Sequence, residues 1–159
     1  MNRSIASIAA SDRCPQLNLF PKRPKIGSYR DPEDTKATEM IPGRKILIID
    51  DDPSDLDTYG KLLQHAGFES LPVLVRFSGP DPFPETKVDL VLLDYRLNSV
   101  KTAPEIAQDI RMKYPEAGIV LLSDLWSAPS DVAPFISAFV RKGEPTRLVQ
   151  VLRSYLPVG

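Results

Sequence analysis

The chain is poor in the side chains that most often carry metal or redox chemistry: its 159 residues include one cysteine, Cys14, and one histidine, His65. A single cysteine excludes an internal disulfide. Cys14 stands in a polar segment, reads as an ordinary free thiol, and points to a reducing compartment, hence the cytoplasm. An excess of either charge is also missing, with 21 acidic residues against 20 basic ones. A net charge of -1 leaves no footprint for bulk nucleic-acid binding or for attachment to an anionic membrane. No apolar run approaches the roughly 20 residues of a membrane span. Residues 1–10 hold only a broken apolar patch (Ile5, Ile8, Ala9, Ala10), which excludes a secretory signal. His65 falls near the end of a helix, where it favours the helix dipole and is not placed for catalysis.

What is present suffices for one domain and an extension. A hydrophobic fraction of 42% supports a core. Residues 1–43 differ from the rest: they contain Pro15, Pro21, Pro24, Pro32 and Pro42, a mildly basic balance of seven Lys/Arg to five Asp/Glu, and no sustained periodicity. They read as a disordered tail, with Leu17-Asn18-Leu19-Phe20 a solvated stretch of it rather than a docking motif. Residues 44–157 read as the folded domain.

Within that domain Lys45-Ile46-Leu47-Ile48-Ile49 is an unbroken apolar run, as suits a central parallel strand covered on both faces. A helix is predicted over residues 54–66, with Leu56, Tyr59, Leu63 and Ala66 on one face and Gly67 just past its end. Residues 71–76 form a second strand. Pro80, Pro82 and Pro84 forbid a regular helix over residues 77–87. Residues 88–93 are a third strand. A helix follows over residues 103–113, opened by the capping-box pattern Thr102-Ala103-Pro104-Glu105. Residues 118–122 are a fourth strand, residues 130–136 a short helical segment, and residues 137–141 a more polar strand suited to an edge. The last helix spans residues 145–156, with Leu148, Val149, Leu152 and Tyr155 inward. Alternating strands and helices imply a doubly wound α/β fold with a parallel sheet and right-handed crossovers. In such sheets the functional crevice lies at the carboxyl ends of the strands.

Those ends carry chemistry. The first strand delivers Asp50, Asp51 and Asp52, the third Asp94, the fourth Ser123 and the fifth Lys142. Asp52 reads as a helix cap. Converging carboxylates repel one another, and a hard divalent ion with oxygen ligands relieves that repulsion; Mg²⁺ is the natural occupant. Lys142 supplies a point positive charge and Ser123 a donor for phosphoryl oxygens, while an aspartate beside the ion is a competent in-line nucleophile.

Ile48-Ile49-Asp50-Asp51-Asp52-Pro53, Asp89-Leu90-Val91-Leu92-Leu93-Asp94, Leu121-Leu122-Ser123 and Phe139-Val140-Arg141-Lys142, in this order, resemble the receiver domain of bacterial two-component response regulators. The resemblance covers residues 45–156. It implies a flavodoxin-like, five-stranded sheet in the order 2-1-3-4-5. It implies that Asp94 accepts a phosphoryl group from a histidine kinase or histidine phosphotransfer protein. Asp50, Asp51, Asp94 and the backbone carbonyl of Arg96 would hold Mg²⁺. Ser123 would be the switch hydroxyl, Phe139 the aromatic switch, and Lys142 the phosphoryl-pairing lysine. From the bare sequence, Phe139 is equally an ordinary strand residue. A receiver is a phosphoacceptor rather than an enzyme, signals through protein contacts, and in some cases dimerises.

This sequence departs from the family pattern. Gly143 replaces the usual proline after the lysine. The loop Asn98-Ser99-Val100-Lys101-Thr102 lacks the usual glycines. Asp124 stands where a very small residue is usual and would repel an incoming phosphate. The second and fourth helices are expected to be reduced or absent, which alters the face that reports phosphorylation. Trp126, in the shortened fourth connection, is either a partner anchor or a loop residue folded back on the core. Two readings follow: a stand-alone receiver that is phosphorylated, and a non-cycling pseudo-receiver that acts as a protein-binding module. A haloacid-dehalogenase-like phosphatase would use the Asp-x-Asp of residues 50–52, but nothing after Lys142 supplies its second acidic pair and Asp94 would have no task.

Overall fold

A computed structural model describes residues 43–157. The expected tail, with Cys14 and residues 17–20, lies outside the described residues apart from Gly43.

The chain runs β1 (Lys45–Asp50), α1 (Pro53–His65), β2 (Glu69–Arg76), β3 (Gly79–Pro80), β4 (Leu90–Asp94), α2 (Ala103–Lys113), β5 (Gly118–Ser123), a 3₁₀ turn (Ala133–Phe135), β6 (Ala138–Arg141) and α3 (Pro145–Tyr155). The strands form one sheet in the order β3-β2-β1-β4-β5-β6. All pairings are parallel except the antiparallel contact of β2 with β3. The five parallel strands thus have the order read from the sequence, and β6 lies at an edge as its polarity suggested.

The two-residue period of the strands divides the core. Ile46, Ile48, Leu90, Leu92, Val120, Leu122 and Val140 point to one face, where Leu63 of α1 and Leu148 and Leu152 of α3 cover them. Leu47, Ile49, Val91, Leu93, Ile119 and Leu121 point to the other, against Ile106, Ala107 and Ile110 of α2. Central strands buried on both faces need apolar residues at every position, hence the unbroken runs. Just past α3, Leu156 joins Leu148 and Leu152 in the core. Tyr155, expected inward, is instead exposed, and its hydroxyl donates to the Ser137 carbonyl at 2.7 Å.

Local signals act as read. Asp52 caps α1 by accepting from the Ser54 N–H at 2.8 Å. Gly67 closes α1 at φ +94°, with Gly67 N–H bonded to the Gln64 carbonyl and Phe68 N–H to the Leu63 carbonyl. That pair of bonds is a Schellman motif, and its left-handed residue favours glycine. Thr102 and Glu105 form the reciprocal capping box of α2.

Among the described residues no helix links β2 to β4, and only the 3₁₀ turn links β5 to β6. The proline-rich stretch instead folds back as β3. Gly79, at φ +131°, allows the reversal, and Arg76 grips Asp81 through two nitrogens at 2.8 and 3.2 Å. The stretch then lays Phe83 against Tyr114 and the core. β2 also starts earlier than the sequence suggested, at Glu69 rather than residue 71, and Pro72 lies inside it. β3 reaches only Val75 and Arg76. Among the described residues the outer edge of β2 beside Pro72 has no strand partner, and a residue without an N–H is tolerated there. Arg111 takes over part of the role of a full fourth helix, donating to the carbonyls of Ala117 and Phe135 at 2.6 and 2.8 Å.

Leu92, fully buried between β1 and β5, tests this packing. Leu92→Ala is expected to lower the unfolding free energy by about 2–5 kcal/mol in urea titration, with the slope of the transition unchanged.

Candidate functional site

The sheet order reverses direction at β1, which is flanked by β2 and β4. Such a switch point leaves a crevice beyond the strand ends. The last pair of the β1–β4 ladder is Ile49 with Leu93, and one step further come Asp50 and Asp94. Both are buried, at 1% and 3% exposure. They continue the alternation Ile46-Ile48-Asp50 and Leu90-Leu92-Asp94, so they belong to the face covered by α1 and α3. Lys142 follows Val140 by the same step of two. Parity therefore brings three charged side chains from three strands to one place.

Lys142 Nζ lies 3.2 Å from Asp50 and 3.2 Å from Asp94. It also lies 2.7 Å from Asp55, in the first turn of α1. The lysine backbone is fixed as well, its N–H donating to the Ser123 carbonyl at 2.9 Å. Asp50 accepts from the Asp52 N–H at 3.0 Å, and Asp51 from the Asn98 N–H at 3.0 Å. Asp50, Asp51 and Asp94 each offer a carboxylate oxygen within 4.8 Å of the others. An octahedral Mg²⁺ with bonds of about 2.1 Å would separate its ligands by roughly 3–4 Å, so the spacing of these oxygens is close to what such an ion would need. The donor set is all oxygen, as a hard cation requires. A cleft of about 450 Å³ opens beside Asp51, lined by Tyr95, Arg96, Asn98, Thr102 and Asp131.

The protonation states reflect crowding. Burial raises the Asp94 carboxyl to about 6, aided by the neighbouring Asp50 charge and opposed by Lys142 and the Arg96 N–H. Asp50 is also raised by burial, against the pull of the Asp52 N–H and Lys142. Burial disfavours the Lys142 ammonium, but its bond to Asp55 and the charges of Asp94 and Asp50 outweigh this and hold it above the usual lysine range.

The remaining residues singled out from sequence fall around this centre. Ser123 is buried at the end of β5, and its hydroxyl accepts from the Leu125 N–H at 3.2 Å. Its hydrogen-bond partners thus lie in its own loop. Phe139 on β6 is half-buried and packs on the core cluster of the α2 face. Arg96 turns its side chain to Asp124, with Nε 3.0 Å from the carboxylate. The charge of Asp124 is therefore matched by a guanidinium two residues beyond Asp94. Gly143 has φ +86°, which a proline cannot adopt, so the backbone leaves Lys142 along a different path from a Lys-Pro chain. Trp126 is 83% exposed and stacks over the Arg141 guanidinium at 3.9 Å, so it does not fold back on the core. Asp55 is the member that strand-end reasoning missed. Its signal was available, since an acid in the first turn of a helix packed on the Asp50 face lies near that pocket.

No family model matches the chain, and no curated protein matches it. Solved structures do. The response regulator TrrA of Thermotoga maritima, in complex with Mg²⁺ and a beryllofluoride, superposes with a TM-score of 0.60 at 24% identity, over 70% of this chain and 98% of that one. A chemotaxis response regulator of Vibrio cholerae gives 0.59 at 20% identity over 70% and 98%. A receiver domain protein of Clostridium thermocellum gives 0.57 at 20% identity over 71% and 94%. The chain has the fold of response-regulator receiver domains.

A carboxyl whose folded pKa lies above its ordinary value binds its proton more tightly folded than unfolded. Its contribution to stability is full below the unfolded pKa, about 4, and falls as pH rises through about 6. In chelator, Asp94→Asn is expected to flatten this part of the pH dependence. At pH 7 it is expected to stabilise the metal-free protein by on the order of 1–3 kcal/mol. Urea titrations of both proteins between pH 4 and pH 7 measure the difference.

Proposed function

We propose that the chain is a phosphoacceptor receiver of a two-component phosphorelay, and that Asp94 is the residue phosphorylated. The observation that carries this reading is the meeting of Asp50, Asp51 and Asp94 within 4.8 Å, with the Lys142 ammonium on two of them. The residues that would hold Mg²⁺ are Asp50, Asp51, Asp94 and the Arg96 backbone carbonyl. When bound, the ion neutralises carboxylate repulsion and the charge that develops on phosphoryl oxygens.

The chain's own residues do the rest. An Asp94 carboxylate oxygen attacks the phosphorus of a phosphohistidine on a histidine kinase or phosphotransfer protein. The phosphorus–nitrogen bond breaks, its electron pair returns to the imidazole, and an acyl phosphate forms on Asp94. Lys142, already held at Asp94, pairs with a phosphoryl oxygen, and Ser123 donates to another once its hydroxyl turns from its own loop. Burial of Asp94 restricts the approach of water. On this reading the protein is not an enzyme. It acts in the cytoplasm through protein contacts, with Ser123 and Phe139 as switch residues, and it is able to form a homodimer.

A second reading, a non-cycling pseudo-receiver that serves as a protein-binding module, is favoured by the Arg96–Asp124 pair beside the site and by the changed path at Gly143. Incubation with acetyl phosphate and Mg²⁺, followed by intact mass spectrometry, separates the two. The expected result is a hydroxylamine-sensitive gain of one phosphoryl group that disappears in Asp94→Asn. No gain at saturating donor establishes the second reading.

A further inference from the structure

An ammonium group has three N–H donors, and in this pocket three carboxylates share them. Two of the three, Asp50 and Asp94, also belong to the oxygen set that suits Mg²⁺. Lys142 is therefore a resident competitor for those ligands: a single positive charge 3.2 Å from each. The third carboxylate, Asp55, stands outside that set and makes the shortest contact, 2.7 Å. It is carried by α1, whose first turn faces the pocket because Leu63 and its neighbours seat the helix on the Asp50 side of the sheet.

We propose that Asp55 is a positioning residue, which draws the Lys142 ammonium to the α1 wall of the pocket and so leaves Asp50 and Asp94 available to Mg²⁺. This rests on the metal-binding reading given above. Among the described residues the ammonium, without Asp55, has only Asp50 and Asp94 to pair with, and an incoming divalent ion must displace it from both. The lysine would still carry its charge, but in the wrong place: against the metal ligands rather than beside them. Asp55 and Lys142 are partly exposed, at 36% and 26% of their side-chain surface, so solvent screens the pair and the effect is moderate.

Calorimetric Mg²⁺ titration of the full-length protein tests this without any phosphoryl donor. Asp55→Asn is expected to weaken Mg²⁺ binding by about three- to tenfold, the range of a partly screened charge shift. Lys142→Met, which removes the competitor, is expected to tighten it. In the Lys142→Met background the Asp55→Asn penalty is expected to be at least about threefold smaller than in the wild type, since no ammonium remains to be misplaced. An equal penalty in both backgrounds assigns the effect to the charge of Asp55 acting directly on the ion and overturns the proposal. No penalty in the wild-type background overturns it also. Asp55→Ser, suited to a first helical turn, is the second variant and is expected to match the Asn variant; thermal melts in chelator verify that each protein is folded. Absence of Mg²⁺ binding by the wild type at millimolar concentration, seen before any substitution, removes the metal reading itself and this proposal with it.

Discussion

Two carboxyl groups, Asp50 and Asp94, are buried side by side at the ends of neighbouring central strands with one ammonium between them. Everything else around the crevice follows from this arrangement. Burying like charges is costly, and a protein accepts it only where surrounding groups compensate. Here the compensation is partial. Lys142, the Asp52 N–H and the Arg96 N–H relieve the pair, yet both carboxyls stay above their ordinary range. The site is thus held under electrostatic tension by a rigid apolar sheet, and a cation lowers that tension.

The sheet imposes this because side-chain direction and strand register are coupled. A one-residue slip of β4 against β1 would send Asp94 to the α2 face, together with Leu90 and Leu92. The buried runs on both faces forbid the slip, since every residue in them is apolar and the helices on each side are already filled. Core packing far from the pocket therefore fixes the pocket geometry. The carboxylates need no dedicated scaffold beyond the alternation that builds the core.

That coupling also decides what was legible in the sequence. β1 and β4 are readable because two-sided burial leaves their interiors free of polar residues, although β4 starts at Leu90 rather than residue 88, and Asp50, Asp51 and Asp94 are readable because they end those runs. The caps at Asp52, Gly67 and Thr102 are readable because each satisfies backbone groups within a few residues. The start of β2 is obscured because Glu69 and Ser70 are polar and carry no apolar signal. β3 is obscured because two residues carry no periodicity. Tyr155 reads as inward by helical spacing, but its hydroxyl finds a carbonyl near the surface and its ring follows. Asp55 and the Arg96–Asp124 pair depend on how helices and loops are rotated above the strand ends, a tertiary quantity that spacing alone does not contain.

The departures from the usual receiver pattern sort by the same logic. Those at the strand ends are few, because the core fixes that region. Those in the connections are many: β3 in place of one helix, a 3₁₀ turn in place of another, and a glycine with positive φ after Lys142. Loops can change without disturbing the register that brings Asp50 to Asp94. The connection between β5 and β6 nevertheless has order of its own, through the Arg111 bonds, the Tyr95–Asp131 contact and the stacking of Trp126 on Arg141. The Tyr95 contact is informative, since Tyr95 follows Asp94 directly and ties that connection to the end of β4. A change of charge at Asp94 is therefore one residue away from a tether to the most altered surface of the domain. The shortened connection is joined to the loop after β4 by the Tyr95–Asp131 hydrogen bond and the Arg96–Asp124 ion pair, and it offers fewer independent parts to rearrange than a full helix does.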